Sequence, residues 1–308
     1  MRTIYFNGKF VKEDKAVVPI TTHALHYGTG CFEGIRAYWS EKENQLLVFR
    51  MRDHYKRLMQ SCKIILTTPK ESIDELCEIT IKLVEKNFVK QDLYIRPLAY
   101  KADPAVGNFN LKNLKNGFAI YTVPLERYLN TDRGIVANVS SWRRIPDNVI
   151  PPRGKITGSY VNTALAKSES LFSGFEEAIL LDERGHVVEG STENIFIVKD
   201  GIMITPPESS DILIGITRQT VMMLCKNDLL ISVVERDIDR SELYQADEVF
   251  FVGTGAEVTP VVEIDHREIG SGKTGPITTK IKGIYFQLVH GEYPKYKEFI
   301  TSVSPQKK

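Results

Sequence analysis

The stretch Pro151-Pro152-Arg153-Gly154-Lys155-Ile156-Thr157-Gly158-Ser159-Tyr160 is the part of the chain around which the rest is best understood. A lysine lies here between two glycines, after a Pro-Pro break and before a run with a helical pattern, Tyr160–Phe172. Because glycine lets backbone pass close to other groups, we expect Gly154 and Gly158 to clear space on either side of Lys155. A lysine amine set in this way suits Schiff-base chemistry. A surface lysine in a Gly/Pro turn would give the same pattern, so this stretch alone leaves both interpretations open.

The overall composition is that of an ordinary globular protein. Of the 308 residues, 42% are hydrophobic and 26% are charged. This length is enough for two domains or one large one. Forty basic against thirty-nine acidic residues leave a formal net charge of +1, which argues against nucleic acid or another polyanion as the main partner.

The four cysteines, Cys31, Cys62, Cys77 and Cys225, are widely spaced and form no Cys-x-x-Cys pair. They predict buried thiols in a reducing compartment, with neither a disulfide framework nor a zinc site. The N-terminus lacks the apolar core of a signal peptide. No apolar run approaches the roughly 20 residues that a transmembrane helix needs. We therefore expect a cytoplasmic protein with no metal and no membrane partner.

Hydrophobic periodicity predicts both strands and helices in the first part of the chain. Asn7-Gly8, flanked by apolar residues, predicts a hairpin with a type I′ turn. Ile73–Phe88 has the pattern of an amphipathic helix. Leu93–Tyr100 alternates as a strand does, which places Tyr94 and Arg96 on one face.

The polar run over residues 124–134 predicts a boundary between two domains. We expect a smaller N-terminal α/β domain over residues 1–123, an interdomain loop over residues 124–134, and a larger C-terminal domain over residues 135–308 that carries Lys155. Strands and helices alternate in the second half, so the predicted fold class is α/β or α+β. The Lys-rich tail beyond Tyr293 is expected to fray.

Three further stretches could contribute to a cofactor site. Glu193 lies between two strand-like runs, and a buried carboxylate there would need a partner, although a hairpin glutamate facing water fits as well. A helix predicted to begin at Gly215-Ile216-Thr217 would offer backbone N–H groups to a phosphate. The glycine-rich turn Gly253-Thr254-Gly255-Ala256-Glu257 could do the same. Neither stretch fits a P-loop or a Rossmann fingerprint.

An aromatic segment completes the set of candidate parts. Residues 21–38 interleave glycines with Tyr27, Phe32 and Arg36, which is typical either of a pocket wall or of an irregular core segment. A nucleophilic lysine, a buried carboxylate and phosphate cradles are together what pyridoxal phosphate requires. A sugar-phosphate enzyme could use much of the same set, so the residues alone leave both classes open.

The chain resembles the branched-chain aminotransferases, which are class IV, pyridoxal-phosphate-dependent enzymes of fold type IV. The resemblance runs over roughly Tyr5 to Gly291. It implies two α/β domains with the cofactor at their interface, usually in a homodimer and sometimes in a trimer of dimers. The stretches that carry it are His23–Gly28, Phe32–Arg36, Tyr94–Pro97, Lys155–Tyr160, Glu189–Phe196, Gly215–Arg218 and Gly253–Pro260.

The resemblance implies a role for each cofactor-binding residue. Lys155 would bind pyridoxal phosphate covalently and move a proton between the substrate Cα and the cofactor C4′, with its flanking glycines giving clearance for the ring. Glu193 would keep the pyridine nitrogen protonated, and Tyr160 would hydrogen-bond the ring O3′. The phosphate would be held by Arg57, the backbone N–H groups of Ile216 and Thr217, and the Thr254 hydroxyl.

The resemblance also implies how small-molecule substrates bind. Tyr94 and the turn formed by Thr254, Gly255 and Ala256 would bind the α-carboxylate. Branched-chain L-amino acids (Leu, Ile or Val) would react with 2-oxoglutarate in a ping-pong reaction that gives branched 2-oxo acids and L-glutamate. Tyr27, Phe32 and Tyr128 would line the side-chain pocket, and Arg36 and Arg96 would accept the distal carboxylate of glutamate.

Other activities occur on the same fold. In transaminases of D-amino acids or (R)-amines the carboxylate-binding groups are placed differently, and Tyr94-Ile95-Arg96 matches the branched-chain L-amino-acid pattern. A lyase that resembles aminodeoxychorismate lyase is disfavoured by Arg36, Arg96 and the turn at Thr254. A catalytically idle metabolite-binding relative is disfavoured because Lys155 and its cofactor-binding partners are intact.

One stretch departs from the pattern of bacterial relatives. Where these often carry an aromatic residue before the pocket tyrosine, this chain has Leu125-Glu126-Arg127-Tyr128. A smaller Leu125 would widen the pocket and Arg127 would add charge, so we expect a broadened substrate range.

Overall fold

The structure is a computed structural model that describes residues 2–125 and 133–305. The chain forms two compact units. Unit 1 consists of Met1–Glu126, Gly154–Gly158 and Leu288–Lys308, and unit 2 consists of Arg127–Arg153 and Ser159–Gln287. The expected C-terminal domain over residues 135–308 therefore needs correction, since its Lys155 segment and its C-terminal segment belong to unit 1. The physical reason is that both segments make backbone hydrogen bonds to unit 1 strands.

Strands and helices follow one another along the described chain, as the mixed fold class predicts. The strands are β1 (Thr3–Phe6), β2 (Lys9–Lys12), β3 (Gly30–Phe32), β4 (Ile35–Ser40), β5 (Gln45–Phe49), β6 (Leu93–Lys101), β7 (Asn116–Pro124), β8 (Ile135–Arg143), β9 (Glu177–Leu181), β10 (Val187–Gly190), β11 (Asn194–Lys199), β12 (Ile202–Thr205), β13 (Val233–Glu235), β14 (Glu248–Gly253), β15 (Glu257–Ile264), β16 (Arg267–Glu268) and β17 (Ile300–Val303). The helices are α1 (His23–Tyr27), α2 (Met51–Ile64), α3 (Ile73–Lys86), α4 (Tyr160–Phe172), α5 (Ile216–Leu224), α6 (Arg240–Gln245) and α7 (Pro276–Val289). Within the described ranges, none of these helices has both the length and the apolar surface to span a membrane.

Unit 1 is built on an antiparallel sheet with the strand order β17-β5-β4-β6-β7-β1-β2, and β3 adds to it by pairing with β6. The predicted hairpin is confirmed, since β1 and β2 pair across Asn7 and Gly8, which both have positive φ. The predicted alternation of β6 is confirmed too. Tyr94 and Arg96 are partly exposed on one face, whereas Leu93 and Ile95 are buried on the other.

The prediction that the tail frays beyond Tyr293 is wrong as far as residue 305. Ile300–Val303 forms β17, which pairs antiparallel with β5, and the Val303 side chain is buried. Without β17, the ladder groups of β5 on this side would have no strand partner. The apolar residues at positions 300 and 303 therefore outweigh the Lys-rich character of the tail around them.

Unit 2 contains a closed ring of strands. The order β10-β9-β8-β15-β14-β11 returns to its start because β10 pairs with both β9 and β11. Two of the pairings, β8 with β9 and β8 with β15, are parallel. Closure leaves these six strands with neighbours on both sides, as in a small barrel.

The unit 2 core fills the ring with side chains from alternate strand positions. Ile135, Ile179, Ile195 and Phe251 belong to this interior cluster. The alternate residues face outward, and some of them, with Ala166 of α4, form a second cluster under that helix. The ring is thus a packed scaffold, and residues that the sequence predicts as site residues lie at its strand ends.

Candidate active site

The backbone of Lys155 is held by two elements of unit 1. Its N–H donates to Ser61 Oγ of α2 at 3.0 Å, and its carbonyl accepts from the N–H of Phe32 in β3 at 3.1 Å. The amine Nζ lies 5.1 Å from the centre of the Phe32 ring. Helix α4 covers Tyr160–Phe172, as the sequence predicts. Lys155 is therefore a fixed, partly buried residue over an aromatic ring, which excludes a surface lysine in a loose turn.

The glycines around Lys155 make room for protein atoms. A Cβ on Gly154 would lie 2.9 Å from Ile64 Cδ1. A Cβ on Gly28 would lie 2.5 Å from the Cα of Gly158, so these two backbones touch. The glycines flanking Lys155 thus allow close packing inside unit 1, and the expected clearance for the cofactor ring stays a prediction.

Arg57, the expected phosphate ligand on α2, is largely buried and forms a bidentate ion pair with Glu33. Its Nε and Nη2 donate to Glu33 Oε1 and Oε2 at 2.6 and 2.9 Å. Burial opposes the charge on Glu33, but Arg57 and His54 outweigh it and hold the pKa of this carboxyl well below its usual range. The guanidinium is thus oriented by a buried carboxylate.

Three residues expected to face the substrate lie together in unit 1. The Arg96 guanidinium lies 4.3 Å from the centre of the Phe32 ring, and its Nη2 donates to the hydroxyl of Tyr94 at 2.8 Å. The Nε of Arg96 is buried and makes no hydrogen bond to the described residues. Because an unpaired buried donor is costly, this atom fits a site whose missing partner is an anion.

Arg36 has a different partner. It is 2% exposed, and its Nη2 donates to Asp92 Oδ2 at 2.8 Å. The same carboxylate accepts from the backbone N–H of Trp39 at 2.9 Å. Asp92 therefore offsets part of the positive charge of Arg36, whereas Arg96 faces the Phe32 ring and the Tyr94 hydroxyl.

Among the expected aromatic pocket residues, Phe32 lies beside the lysine amine. Tyr27 lies in α1, where its ring centre is 5.0 Å from that of Phe109 and its hydroxyl accepts from the N–H of Gly107. Tyr128, like the neighbouring Arg127, lies outside the described residues.

Glu193 is a buried acid of unit 2. It is 2% exposed and accepts hydrogen bonds from the N–H of Thr192, at 3.0 Å, and from the Thr192 hydroxyl. Burial, with a further contribution from the charge of Glu177, raises the pKa of Glu193 to about 7. A hairpin glutamate facing water is excluded. An added cationic partner, such as a protonated pyridine nitrogen, would favour the ionised form of this carboxyl.

The predicted helix N-terminus is confirmed at α5, which begins at Ile216 with Gly215 as its N-cap. Gly215 has no side chain to cap the first turn, so the N–H groups of that turn, including the one of Thr217, suit an oxyanion. A Cβ on Gly215 would lie 2.0 Å from Asn194 Oδ1, and Asn194 Nδ2 donates to the carbonyl of Leu213 at 2.9 Å. Asn194, at the start of β11, thus fixes the segment that precedes α5.

The remaining residues that are expected to bind the cofactor lie near the same strand ends of unit 2. Gly253 ends β14 beside Glu193, since a Cβ there would be 3.5 Å from Glu193 Cγ. Thr254, Gly255 and Ala256 form the turn that follows, and Thr259 Oγ1 donates to the Ala256 carbonyl at 2.6 Å. Tyr160 begins α4, whose first turn is tied to the Glu193 loop by a hydrogen bond from Thr163 Oγ1 to the Ser191 carbonyl at 2.9 Å.

The sequence did not single out the residues that hold the candidate site residues in position. Glu33 is an acid between buried aromatic and glycine residues, which is the signal that singled out Glu193, so it could have been found. Ser61, Asn194 and Asp92 carry no such signal, because their roles depend on partners far along the chain.

The chain is similar to known proteins over most of its length. The family model for amino-transferase class IV matches residues 30–264. A probable branched-chain-amino-acid aminotransferase of Aquifex aeolicus is 50% identical over 97% of this chain and 96% of its own. A crystal structure of a branched-chain aminotransferase from Thermoproteus uzoniensis with norvaline matches with a TM-score of 0.93 at 44% identity, over 98% of this chain and 99% of that one. The branched-chain amino acid aminotransferase from Thermobaculum terrenum, in its PLP-bound holo form, matches with a TM-score of 0.92 at 38% identity, over 98% of each chain.

Proposed function

Because the chain belongs to the amino-transferase class IV family, we propose that it is a pyridoxal-phosphate-dependent aminotransferase of branched-chain L-amino acids. It transfers the amino group of leucine, isoleucine or valine to 2-oxoglutarate and releases a branched 2-oxo acid and L-glutamate. The observation that carries this function is the match at 50% identity, over nearly the whole chain, to a protein named for that activity. The buried, acid-paired Arg57 and the buried Glu193 fit its cofactor.

The residues of the chain have distinct tasks toward the cofactor. When bound, pyridoxal phosphate supplies an electron-withdrawing ring that stabilises negative charge on the substrate Cα. We assign Lys155 as the residue that binds the cofactor covalently and carries the proton between the substrate Cα and the cofactor C4′. Glu193, once ionised, holds the ring nitrogen protonated, and Tyr160 donates to the ring O3′.

The phosphate is assigned to residues with charge and oriented donors. Arg57 supplies the cation, and the N–H groups of Ile216 and Thr217 supply a helix N-terminus. The Thr254 hydroxyl adds a further donor. The first turn of α5, which has no side-chain cap, and the fixed guanidinium of Arg57 support this assignment.

Substrate recognition is assigned to the expected aromatic and cationic residues and to the turn at 254–256. Phe32 supports the apolar side chain, with Tyr27 and Tyr128. Tyr94, with Gly255 and Ala256, binds the α-carboxylate. Arg96 accepts the distal carboxylate of glutamate, and its buried, unbonded Nε supports this role. Arg36, which is 2% exposed and paired with Asp92, is assigned to the same carboxylate.

The test is a substrate panel. The purified protein with added pyridoxal phosphate should form L-glutamate from 2-oxoglutarate and each of L-leucine, L-isoleucine and L-valine. D-alanine and an (R)-amine test the two alternative transaminase activities, and pyruvate release from aminodeoxychorismate tests the lyase. Higher kcat/KM for any of these than for the three L-amino acids would replace the proposed substrate class.

We also propose that the substrate range is broader than in relatives with an aromatic residue at the position of Leu125. The side chain of Leu125 is only partly buried, which is compatible with a wider pocket, and Arg127 adds a charge two residues later in the sequence. The same panel, extended to L-phenylalanine and L-methionine, checks this. A preference of more than about a thousandfold for the three branched-chain substrates would contradict it.

Location and assembly are further proposals. All four cysteines are free thiols, which supports a reducing, cytoplasmic location. A homodimer or a trimer of dimers follows from the resemblance to the family. Light scattering after size-exclusion chromatography distinguishes a monomer from two or six subunits.

A further inference from the structure

Glu33 is a buried acid to which the proposed function assigns no task. It lies between β3 and β4, and its side chain is 0% exposed. Besides the two bonds from Arg57, its carboxylate lies 2.7 Å from His54 Nδ1 and 3.2 Å from the N–H of Gly34. Since an ionised carboxylate can only accept, we assign the His54 proton to Nδ1. Glu33 therefore joins the bend between two strands to two positions of α2, one helical turn apart.

The charges in this cluster are defined by their neighbours. Glu33 is ionised, as described above. Burial lowers the pKa of His54, and the attraction of Glu33 does not restore it, so His54 is neutral. The cluster thus contains one buried anion, Glu33, and one cation, Arg57. A buried ion pair contributes little net stability compared with apolar packing, so stability alone does not explain why this pair is built here.

The geometry of the Arg57–Glu33 pair determines how the Arg57 guanidinium is oriented toward a ligand. The edge formed by Nε and Nη2 is committed to Glu33. A guanidinium is a rigid planar fork, so fixing one edge fixes the direction of its other donors. The donors that lie outside this edge, on Nη1 and on the outer side of Nη2, therefore point in directions that are set before a ligand arrives.

The same cluster is connected to Lys155 from two directions. Phe32, the residue before Glu33, donates its N–H to the Lys155 carbonyl at 3.1 Å. On the helical side, the Arg57 carbonyl accepts from Ser61 Oγ at 3.0 Å, and Ser61 Oγ accepts from the Lys155 N–H at 3.0 Å. Both connections are made by backbone atoms and Ser61 Oγ, so replacing the Glu33 carboxylate by an amide leaves the supports of the lysine in place.

We propose that Glu33 is a positioning residue, whose carboxylate fixes the Arg57 guanidinium in the orientation that binds the phosphate of pyridoxal phosphate. This inference rests on the proposed function, since it assumes that Arg57 binds the phosphate.

The experiment measures phosphate preference in the cofactor-stripped, full-length protein. Pyridoxal phosphate and pyridoxal, which lacks the phosphate, are titrated by absorbance, and the ratio of their Kd values gives the preference. In Glu33→Gln the amide would present an N–H group to the donors of Arg57 and misdirect the guanidinium. We expect the preference to fall about 10- to 100-fold, the scale of one lost charge-assisted hydrogen bond, with pyridoxal binding unchanged.

The direction in which the phosphate preference changes distinguishes a positioning role of Glu33 from a purely electrostatic one. A carboxylate that acted only through its charge would repel the phosphate, so its removal would raise the preference. A carboxylate that only supported the fold would change the affinities for both ligands equally. A preference that rises or stays constant in Glu33→Gln overturns the proposal. Glu248→Gln is the matched control, because Glu248 is also buried and accepts three hydrogen bonds, at the start of α7.

The double variant Glu33→Gln/Arg57→Gln covers the case in which the single variant does not fold, since removing both members of a buried ion pair leaves no uncompensated charge. It should have the same phosphate preference as Arg57→Gln alone, because Glu33 acts through Arg57. A further loss in the double variant would overturn the proposal. If Arg57→Gln itself keeps the wild-type preference, the assigned role of Arg57 fails, and the inference fails with it.

Discussion

Glu33 and Glu193 are both buried acidic side chains, and their surroundings move their pKa values in opposite directions. Arg57 and His54 keep the pKa of Glu33 low. Glu193 has hydrogen bonds from Thr192 but lies near the negative charge of Glu177, so its pKa rises to about 7. The first group is therefore ionised in the protein by itself, whereas the second is poised to ionise when a cation binds beside it.

The raised pKa of Glu193 predicts a stability that depends on pH. Between the unfolded pKa of about 4.5 and the folded pKa of about 7, the folded protein holds a proton that the unfolded chain releases. This contribution therefore falls as pH rises through that window, by roughly 3 kcal/mol in total. Glu193→Gln removes the titration. In urea unfolding of the cofactor-free protein, we expect the variant to exceed the wild type in stability at pH 8 and to lose this advantage near pH 5.

The opposite ranking at pH 8, with the variant less stable than the wild type, would contradict the raised pKa of Glu193 in the cofactor-free protein. The same variant should lose transamination, because glutamine cannot keep a pyridine nitrogen protonated.

Single residues could be predicted from the sequence where the signal is local. Lys155 stood out between glycines, and Glu193 stood out as an acid between apolar runs. The partners that fix them could not be predicted in the same way, since Ser61 precedes Lys155 by 94 residues and Glu33 precedes Arg57 by 24. Such pairs are set by tertiary packing.

Among the structural elements, α5 shows how a glycine can be required by its neighbour. Gly215→Ala would place a Cβ 2.0 Å from Asn194 Oδ1, so Asn194 must move and release the Leu213 carbonyl. We expect a loss of roughly 2 kcal/mol in stability, typical of overpacking, and about tenfold weaker binding of pyridoxal phosphate. Thermal unfolding and a cofactor titration measure the two effects.

Gly283 provides the control for this variant. It lies inside α7, and a Cβ added there would have no described atom within 4 Å beyond its own helix backbone and chain neighbours. Gly283→Ala should therefore raise stability by up to about 1 kcal/mol through helix propensity. Unchanged cofactor affinity in Gly215→Ala would show that the α5 N-terminus does not bind the phosphate.

Elements with a strong period were predicted well. The helix Tyr160–Phe172 has the predicted bounds, and the strand alternation of β6 is observed. Closure of the unit 2 ring could not be predicted, because β8 finds its parallel partner β15 more than a hundred residues later along the chain. β17 was not predicted because its four residues, Ile300–Val303, form only a short pattern within a Lys-rich tail.

At the scale of the whole molecule, the two ends of the chain depend on each other through unit 1. The N-terminal strands and β17 share one sheet, although the sequence predicted separate N- and C-terminal domains. A chain that ends after Phe299 would leave one side of β5 unpaired and remove the buried Val303. We expect a loss of at least about 2 kcal/mol, the scale of one buried valine, seen as a lower midpoint of thermal unfolding.

A chain that ends after Ser304 keeps β17 and serves as the control, with an expected midpoint equal to that of the full-length protein. Equal midpoints for all three chains would mean that β17 does not stabilise the sheet.

The central claim is that Lys155 binds pyridoxal phosphate covalently, and chemical mapping tests it most directly. The protein is loaded with pyridoxal phosphate, reduced with borohydride, digested and analysed by mass spectrometry, with Lys155→Ala and the surface variant Lys199→Ala treated in parallel. We predict a phosphopyridoxyl group on the peptide that contains Lys155, retained in Lys199→Ala and lost in Lys155→Ala. A stoichiometric label on another lysine, or no label in the wild type, would contradict the claim.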